Sequence, residues 1–422
     1  MKNIFNRKSE KLEKKLKIAC LILIGIILIE GLFFIYIKYT KKNNAIYRTT
    51  VNRIIEVDNG LVTVGNSDFK YSKNNKYEAN SKAFITKYDS KNKIVFEMKY
   101  EKGIISKYND VIKTNDGYLA VGEIQMTDKQ IEEGSSEGLI VKYDLTGKEV
   151  WHKNFVILGV NKFLRVIEDS DKNYVVVGSS LYEANLIGNH ATGGAIIVKY
   201  DKDGKKISHA NNDGPKTGVY NDLMEVSDGY IVVGQIKNNS GIIAKYDRNL
   251  HLKWRKLFGN TDNYGIRKIK KYDNNSFLVI GSKLGATDKN EQSGVIIKYN
   301  NNGDKLKEES YKFDKVNRFE DLMIDNNKII VIGMTSIANK DENVDSFVLT
   351  LNENLEKTQE QIKKENKSIL FNGLVKINNK IFIYGYSNSK IKDIKSNGKD
   401  IVPVLLNLND LKYFNLFNWR TR

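Results

Sequence analysis

Cysteine and proline are almost absent from this chain. Its 422 residues include one cysteine, Cys20, and two prolines. Because Cys20 lies in the first apolar segment, the rest of the chain can form neither a disulfide nor a thiolate zinc site. The low proline content also excludes collagen-like and proline-rich disordered structure. Side-chain packing must therefore stabilise any globular part.

Acidic residues are outnumbered by basic ones, 51 to 68, which gives a formal net charge of +17. A basic surface can attract nucleic acid, anionic lipid or an anionic cell-surface polymer. Lys, Asn and Ile are frequent throughout the chain, however, as in proteins encoded by AT-rich genomes. We therefore predict no nucleic-acid partner.

Residues 18–37 form an apolar run with one charged residue, Glu30. At 1.5 Å per residue, a helix of this length spans roughly 30 Å, the thickness of a bilayer's hydrocarbon core. The run is too long for a cleaved signal peptide and lacks a small-residue cleavage site. Cys20 lies too close to its start for a lipoprotein signal. We predict a transmembrane signal-anchor helix at 18–37, with Glu30 as a candidate contact for a partner helix.

The charges around this run predict its orientation. Seven Lys or Arg residues precede it and four follow it. The positive-inside rule then places the amino terminus in the cytoplasm. We predict a basic cytoplasmic segment at 1–17, a linker at 38–50 and an extracytoplasmic body at 51–422, in a single-pass protein of the cell membrane.

One unit is repeated seven times in the body. It comprises an apolar strand, a polar turn, a second strand ending in glycine, a variable loop and two further strands. Its clearest copies begin YNDVIKTNDGYLAVG at 108–122 and YNDLMEVSDGYIVVG at 220–234. The strand-end glycines are Gly65, Gly122, Gly178, Gly234, Gly281, Gly333 and Gly385. The repeats lie near 51–100, 108–155, 163–211, 220–258, 264–311, 319–363 and 371–420.

Short strands joined by D-G, N-G and N-N turns are typical of antiparallel meanders. Radial repetition of such sheets gives a β-propeller, which leaves only short edges exposed. Separate sandwich domains would need about 100 residues per unit. We predict an all-β fold: a seven-bladed β-propeller of four-stranded antiparallel blades, preceded by one N-terminal transmembrane helix.

The segment DLTGKEVW at 144–151 resembles the part of quinoprotein-like propellers in which a Thr-Gly-Lys turn precedes an outer-strand Trp. Over about 370 residues the repeats are similar to those of quinoprotein-like and WD-repeat-like propellers. Trp254 keeps the aromatic residue of Trp151, whereas other repeats have Phe96, Ile207 or Leu306. We interpret this position as packing between blades, and we predict no cofactor.

If strand order follows those families, the first strand of each repeat lines a central channel. The short turns within each strand pair then share one face. The loops between second and third strands, including 66–82 and 386–402, emerge on the opposite face, called here the long-loop face. Because long loops on a rigid scaffold commonly bind ligands, we predict that this face is functional.

The first residue of the channel strand lies twelve residues before the glycine in regular repeats. We predict that these residues surround the channel mouth on the long-loop face and bind a ligand. Alternatively, they pair with each other as structural salt bridges. The fifth repeat offers Ile266 or Arg267, and the seventh offers Gly373. The predicted ligand-binding residues are Arg53, Asp110, Arg165, Asp222 and Asp321.

The sequence contains no complete catalytic or metal-binding motif. The G-x-S-x-G match at 134–138 lacks the strand-turn-helix context of a nucleophile elbow. The four histidines lack metal-ligand spacing. The segments 169–173 and 201–204 resemble the start of a calcium loop without its correctly placed Gly and Glu, so we predict ordinary turns there. We predict no catalytic residue and no metal site.

Two functions are compatible with these patterns. A binding or scaffold protein would engage an extracytoplasmic protein, a peptide or a cell-envelope polymer through the long-loop face. A hydrolase or lyase would use channel-mouth carboxylates for acid and base catalysis, for which Asp110, Asp222 and Asp321 are the candidates. We favour the binding protein, because it requires no residue that the sequence lacks.

Overall fold

The computed structural model describes most of the chain between Ile46 and Tyr413. The chain divides into two units, residues 1–46 with 69–79 and residues 47–68 with 80–422. In the first unit the described residues are Ile46, 69–73 and 76–79, all in strands. All other described residues belong to the second unit. The described residues are 46–73, 76–157, 159–182, 192–211, 218–236, 240–258, 264–285, 288, 291–337, 344–363, 369–387 and 402–413.

Each of the first six repeats contributes four consecutive antiparallel strands, and three strands of the seventh repeat are described. The first strand of a repeat is called its inner strand and the fourth its outer strand. Repeats one to four contain β1 (Ile46–Val57), β2 (Gly60–Lys73), β3 (Lys76–Asp89), β4 (Ile94–Lys99), β5 (Ile105–Thr114), β6 (Gly117–Gln125), β7 (Glu137–Asp144), β8 (Glu149–Phe155), β9 (Val160–Glu168), β10 (Tyr174–Tyr182), β11 (Thr192–Tyr200), β12 (Lys206–Asn211), β13 (Gly218–Val226), β14 (Gly229–Ile236), β15 (Ser240–Asp247) and β16 (Leu252–Phe258). Repeats five to seven contain β17 (Tyr264–Lys271), β18 (Ser276–Leu284), β19 (Gln292–Asn300), β20 (Lys305–Tyr311), β21 (Val316–Asp325), β22 (Lys328–Ser336), β23 (Asp345–Leu351), β24 (Lys357–Lys363), β25 (Ile369–Ile377), β26 (Lys380–Ser387) and β27 (Val402–Asn407).

The turns between third and fourth strands follow from local side-chain chemistry. Asp144 Oδ1 accepts hydrogen bonds from the backbone N–H of Thr146 at 2.8 Å and of Lys148 at 2.9 Å, and Gly147 has φ 87°. Such an Asp stabilises a tight turn in which one residue takes a left-handed conformation. Residues 201–204 form the same turn, with φ 77° at Gly204.

The other calcium-loop-like segment also forms a hairpin turn. Asp169 Oδ1 accepts from the N–H of Asp171 at 3.0 Å and of Asn173 at 2.8 Å. The prediction of ordinary turns is confirmed for both segments. In the described residues no cluster of His, Cys, Asp and Glu could hold a metal ion.

Seven hydrophobic clusters form the core of the described residues, and each contains side chains from two repeats. Six of them join consecutive repeats. The seventh joins Val51 and Ile54 of the first repeat to Val375 and Phe382 of the last. Since a single sheet cannot bury both of its faces alone, this face-to-face packing of repeated meanders is that of a β-propeller.

The connections after the second strands differ from the prediction. Most of the expected loop 66–82 is strand, because β2 continues to Lys73 and β3 begins at Lys76. The next connection contains a short helix, α1 (Asp128–Glu132), which Thr127 and Gln130 begin with a reciprocal capping box. In the predicted loop 386–402, residues 388–401 lie outside the described part of the chain.

The predicted transmembrane helix at 18–37, its flanking segment 1–17 and most of the linker 38–50 also lie outside the described residues. No helix among the described residues is long and apolar enough to cross a membrane.

Candidate functional site at the inner strands

A β-bulge interrupts the inner strand opposite the repeated glycine. In the second repeat Tyr108 pairs with Gly122 and Asp110 with Val121, so Asn109 is the extra residue. A Cβ on Gly122 would overlap the backbone oxygen of Lys107. The glycines are therefore interior strand residues that allow two backbones to approach closely, rather than strand ends. Equivalent bulges follow Phe163, Tyr220, Ile266, Phe319 and Phe371.

The bulge turns an Asn side chain toward the inner strand of the following repeat. Asn109 Nδ2 donates to the backbone oxygen of Phe163 at 2.8 Å, and Asn221 Nδ2 donates to that of Ile266 at 2.6 Å. Asn52 makes the same bond to Tyr108 at 2.6 Å. These bonds connect neighbouring inner strands. They were not predicted, although the repeated Asn before the predicted site residue was the available signal.

The residue after each bulge belongs to one layer across the inner strands, called here the charged layer. All five predicted site residues occupy it. In the fifth repeat the structure places Lys268 there, paired with Ile280, so both Ile266 and Arg267 were wrong predictions. The layer consists of Arg53, Asp110, Arg165, Asp222, Lys268, Asp321 and Gly373.

The seventh repeat completes this layer differently. A Cβ on Gly373 would overlap the hydroxyl group of Tyr384. Glycine thus leaves room for the Tyr384 ring, whose hydroxyl lies near enough to Arg53 for electrostatic interaction. Cations and carboxylates alternate through the first six repeats, and a neutral group occupies the seventh.

Ion pairs link the first four repeats within the charged layer. Asp110 Oδ1 lies 3.3 Å from Arg53 Nε and 3.3 Å from Arg165 Nη1. Arg165 Nε also lies 3.7 Å from Asp222 Oδ1. Each Arg is thus close to a carboxylate of a neighbouring repeat, as the alternative of structural salt bridges predicts.

Each Asp also accepts a hydrogen bond from the inner strand of the next repeat. Asp110 Oδ2 accepts from the N–H of Val166 at 3.1 Å, and Asp222 Oδ2 accepts from that of Ile269 at 3.1 Å. Asp321 Oδ2 accepts from the N–H of Leu374 at 2.9 Å. The edge of an inner strand has backbone donors without a strand partner, and these carboxylates satisfy one donor in every second repeat.

Burial affects the protonation of this layer. It raises the pKa of Asp222 above the usual value, because the attraction of Arg165 only partly offsets the loss of hydration. Burial would lower the pKa of Arg165, but Asp110 and Asp222 reverse that effect and raise it. The Arg165 side chain therefore stays charged, whereas Asp222 takes up a proton more readily than an exposed Asp does.

The predicted position of these residues, at the start of each inner strand, is wrong. The charged layer lies farther along the inner strands. Asp110 is the sixth residue of β5, and Asp321 is the sixth residue of β21. Both are buried, with 3% of the residue surface exposed. The preceding residues, expected in loops, continue the pairing with the second strand. The binding role of the five predicted residues stays a prediction.

The outer-strand aromatic residues pack on the next repeat. A Cβ on Gly204 would lie 2.9 Å from the ring of Trp151, and one on Gly303 would lie 2.5 Å from that of Trp254. The interpretation as packing between repeats is confirmed. Ile207 and Leu306 are not equivalent residues, because each is the unpaired residue of an outer-strand bulge and is exposed.

Neither a protein-family model nor a curated protein matches this chain. Similar solved structures include the β-propeller domain of the Trilobed protease from Pyrococcus furiosus, with TM-score 0.45, 9% identity and coverage of 89% of this chain and 100% of that chain. A puromycin hydrolase has TM-score 0.41, 8% identity and coverage of 80% and 58%. Lignostilbene dioxygenase from Pseudomonas brassicacearum has TM-score 0.41, 10% identity and coverage of 86% of both chains. These values support no transfer of activity, and no family match confirms the quinoprotein-like or WD-repeat-like resemblance.

Proposed function

We propose that this chain is a membrane-anchored binding protein with a closed seven-bladed propeller outside the cell membrane. The segment 1–17 is cytoplasmic, the helix 18–37 crosses the membrane, and the long-loop face engages an extracytoplasmic protein, peptide or cell-envelope polymer. The observation that carries this proposal is a contrast. The carboxylates of the charged layer contact Arg side chains or backbone N–H groups, whereas Lys107, Lys162 and Arg318 on its long-loop side have no carboxylate at the equivalent positions of the other repeats.

Contacts between the last and first repeats support seven blades in a closed ring. Asn372 Nδ2 donates to the backbone oxygen of Val51 at 3.2 Å, which repeats the Asn bond between consecutive repeats. At the turn end of the same strands, the N–H of Asn378 donates to Glu56 Oε1 at 2.8 Å. A shared hydrophobic cluster accompanies these bonds. No additional blade is needed between the last and first repeats.

The engagement of the carboxylates favours binding over catalysis. A general acid or base must reach the substrate with a free oxygen or proton. Both oxygens of Asp110 interact with Arg side chains or a backbone N–H. Those of Asp321 accept from the N–H groups of Leu322 and Leu374. These carboxylates are therefore suited to holding inner strands together, and no contact specifically favours a hydrolase or lyase.

Cations occupy three of the seven inner-strand positions just beyond the charged layer on the long-loop side. The residues whose backbone oxygens face the repeated glycines include Lys107, Lys162 and Arg318, without a carboxylate at any of the seven equivalent positions. All three are partly exposed. An acidic peptide or an anionic envelope polymer would complement these charges. In this proposal Arg53, Asp110, Arg165, Asp222 and Asp321 form the floor of the binding site.

Charge reversal of the basic residues tests the proposal. We expect Lys107→Glu combined with Lys162→Glu to weaken binding of polyglycerol phosphate or polyglutamate to the full-length protein by about tenfold. The matched control, Lys202→Glu with Lys328→Glu, changes net charge equally at an exposed turn and an exposed strand start and should retain affinity. Biolayer interferometry at low and physiological salt measures the difference.

Unchanged affinity in the Lys107 and Lys162 variant, or equal losses in variant and control, would contradict the proposed face. Binding that survives Asp110→Asn and Asp222→Asn would remove the charged layer from the site.

A further inference from the structure

A cavity of about 400 Å³ lies on the other side of the charged layer from the long loops. It is lined by the last residues of β1, β17, β21 and β25, which lead into the turns between first and second strands. Arg53 and Asp321 of the charged layer belong to its lining. The volume falls within the range of roughly 300–1,000 Å³ that small-molecule sites occupy.

The cavity wall is divided almost equally between apolar and polar surface. Ile55, Met323 and Val375 line the cavity, and each lies two residues after the charged-layer residue of its inner strand. The fifth repeat places Lys270 at this position. At this inner-strand position, a lysine of the fifth repeat thus replaces the apolar side chain of the other three lining strands.

The other charged groups of the lining already have partners. Glu56 accepts from a backbone N–H of the seventh repeat, Lys376 pairs with Asp325, and Asp321 accepts two backbone hydrogen bonds. Among the described residues, Lys270 and the adjacent Lys271 form neither an ion pair nor a hydrogen bond. Lys270 is partly buried and Lys271 is exposed.

We propose that this cavity binds a small amphipathic organic anion, with its carboxylate at Lys270 and Lys271 and its hydrocarbon body against Ile55, Met323 and Val375. Asp222 attracts Lys270 electrostatically but forms no ion pair with it, so an acceptor anion in direct contact further stabilises the half-buried ammonium group. Covering Ile55, Met323 and Val375 removes apolar surface from water. A fully polar anion such as inorganic phosphate would contact only the lysines and would bury no apolar surface. The site lies at the opposite end from the long-loop face, so it does not depend on the polymer-binding proposal.

Methionine methyl groups report directly on this site. Met323 lines the cavity, whereas Met98 and Met126 are exposed elsewhere. In full-length protein labelled with ¹³C at the methionine methyls, we expect octanoate to shift the Met323 signal at concentrations about tenfold lower than 1-octanol does. Met98 and Met126 should not move.

Lysine variants separate charge recognition from simple hydrophobic binding. We expect Lys270→Met combined with Lys271→Met to reduce octanoate affinity about tenfold without reducing that of 1-octanol. The control Lys328→Met, on an exposed strand start outside the lining, should behave as the unmodified protein. A Met323 signal that octanoate does not shift, equal titrations with octanoate and octanol, or an unchanged octanoate titration in the lysine variant would each overturn the proposal.

Discussion

The fourth and sixth repeats have the same inner-strand backbone but different side chains at the bulge. In both, an Asp follows the bulge and accepts a backbone N–H from the next repeat. The bulge residue is Asn221 in the fourth repeat and Glu320 in the sixth. The bulge thus forms with either residue at its extra position, so the hydrogen bond made by Asn221 is not required in every repeat.

The repeated glycines give the largest expected effect, and it should be equal in the two repeats. A Cβ on Gly234 would overlap the backbone oxygen of Val219, and one on Gly333 would overlap that of Arg318. We expect Gly234→Ala and Gly333→Ala each to lower the free energy of unfolding by about 4 kcal/mol. Chemical denaturation of the full-length protein measures this loss.

Gly134→Asn is the control for the glycine variants. Gly134 has φ 64° and open space around its Cβ position, and Asn tolerates this conformation. Its loss should stay below about 1 kcal/mol. A similarly small loss at Gly234 or Gly333 would show that the close strand approach is not a shared constraint.

The Asp after the bulge should have the next largest effect. Asp222→Ala would leave the N–H of Ile269 and part of the Arg165 guanidinium unpaired inside the protein. We expect a loss of about 3 kcal/mol, the usual cost of removing one partner of a buried charged pair. Asp222→Asn keeps an acceptor for Ile269 and removes a buried charge whose pKa is already raised, so it should restore most of that loss. Equal losses for Ala and Asn, measured by denaturation, would assign the whole effect to charge.

The glycine period and inner-strand positions were predictable because a bulge and its glycine recur together. The residue after the bulge lies twelve residues before the glycine when the intervening turn is shortest, as between Thr114 and Gly117. Where the turn is longer, as between Lys271 and Ser276, the residue after the bulge lies thirteen residues before the glycine. This extra residue is why Lys268 escaped the prediction.

The remaining features depend on contacts between repeats. Tyr384 enters the charged layer because Gly373, on the neighbouring strand, leaves space. The Asn bonds and the lysine in the cavity wall involve inner strands distant in sequence. A pattern within one repeat identifies such positions but not their partners.

Glu320 should produce the smallest effect, and one that depends on pH. Burial raises its pKa above the ordinary value, despite the nearby Arg267 and Arg318. One of its oxygens, Oε1, is buried without a hydrogen bond, although Arg267 Nη2 lies 3.7 Å away. Because the folded state holds this proton more tightly than the unfolded state does, the ionised group lowers stability above its folded-state pKa. That cost disappears as the pH falls through the raised pKa to the ordinary one.

Glu320→Gln should therefore stabilise the protein by about 1 kcal/mol at pH 7, since it removes an imperfectly paired buried charge and supplies an N–H donor like that of Asn221. Near pH 4, where the glutamate is largely protonated in the folded protein, the gain should vanish. Glu123→Gln, at a partly exposed strand position, serves as the control. Denaturation at both pH values measures the gain in free energy of unfolding. An equal gain at pH 4 and pH 7 would show that the charge of Glu320 has no part in it, and the sixth repeat would then differ from the fourth in shape alone.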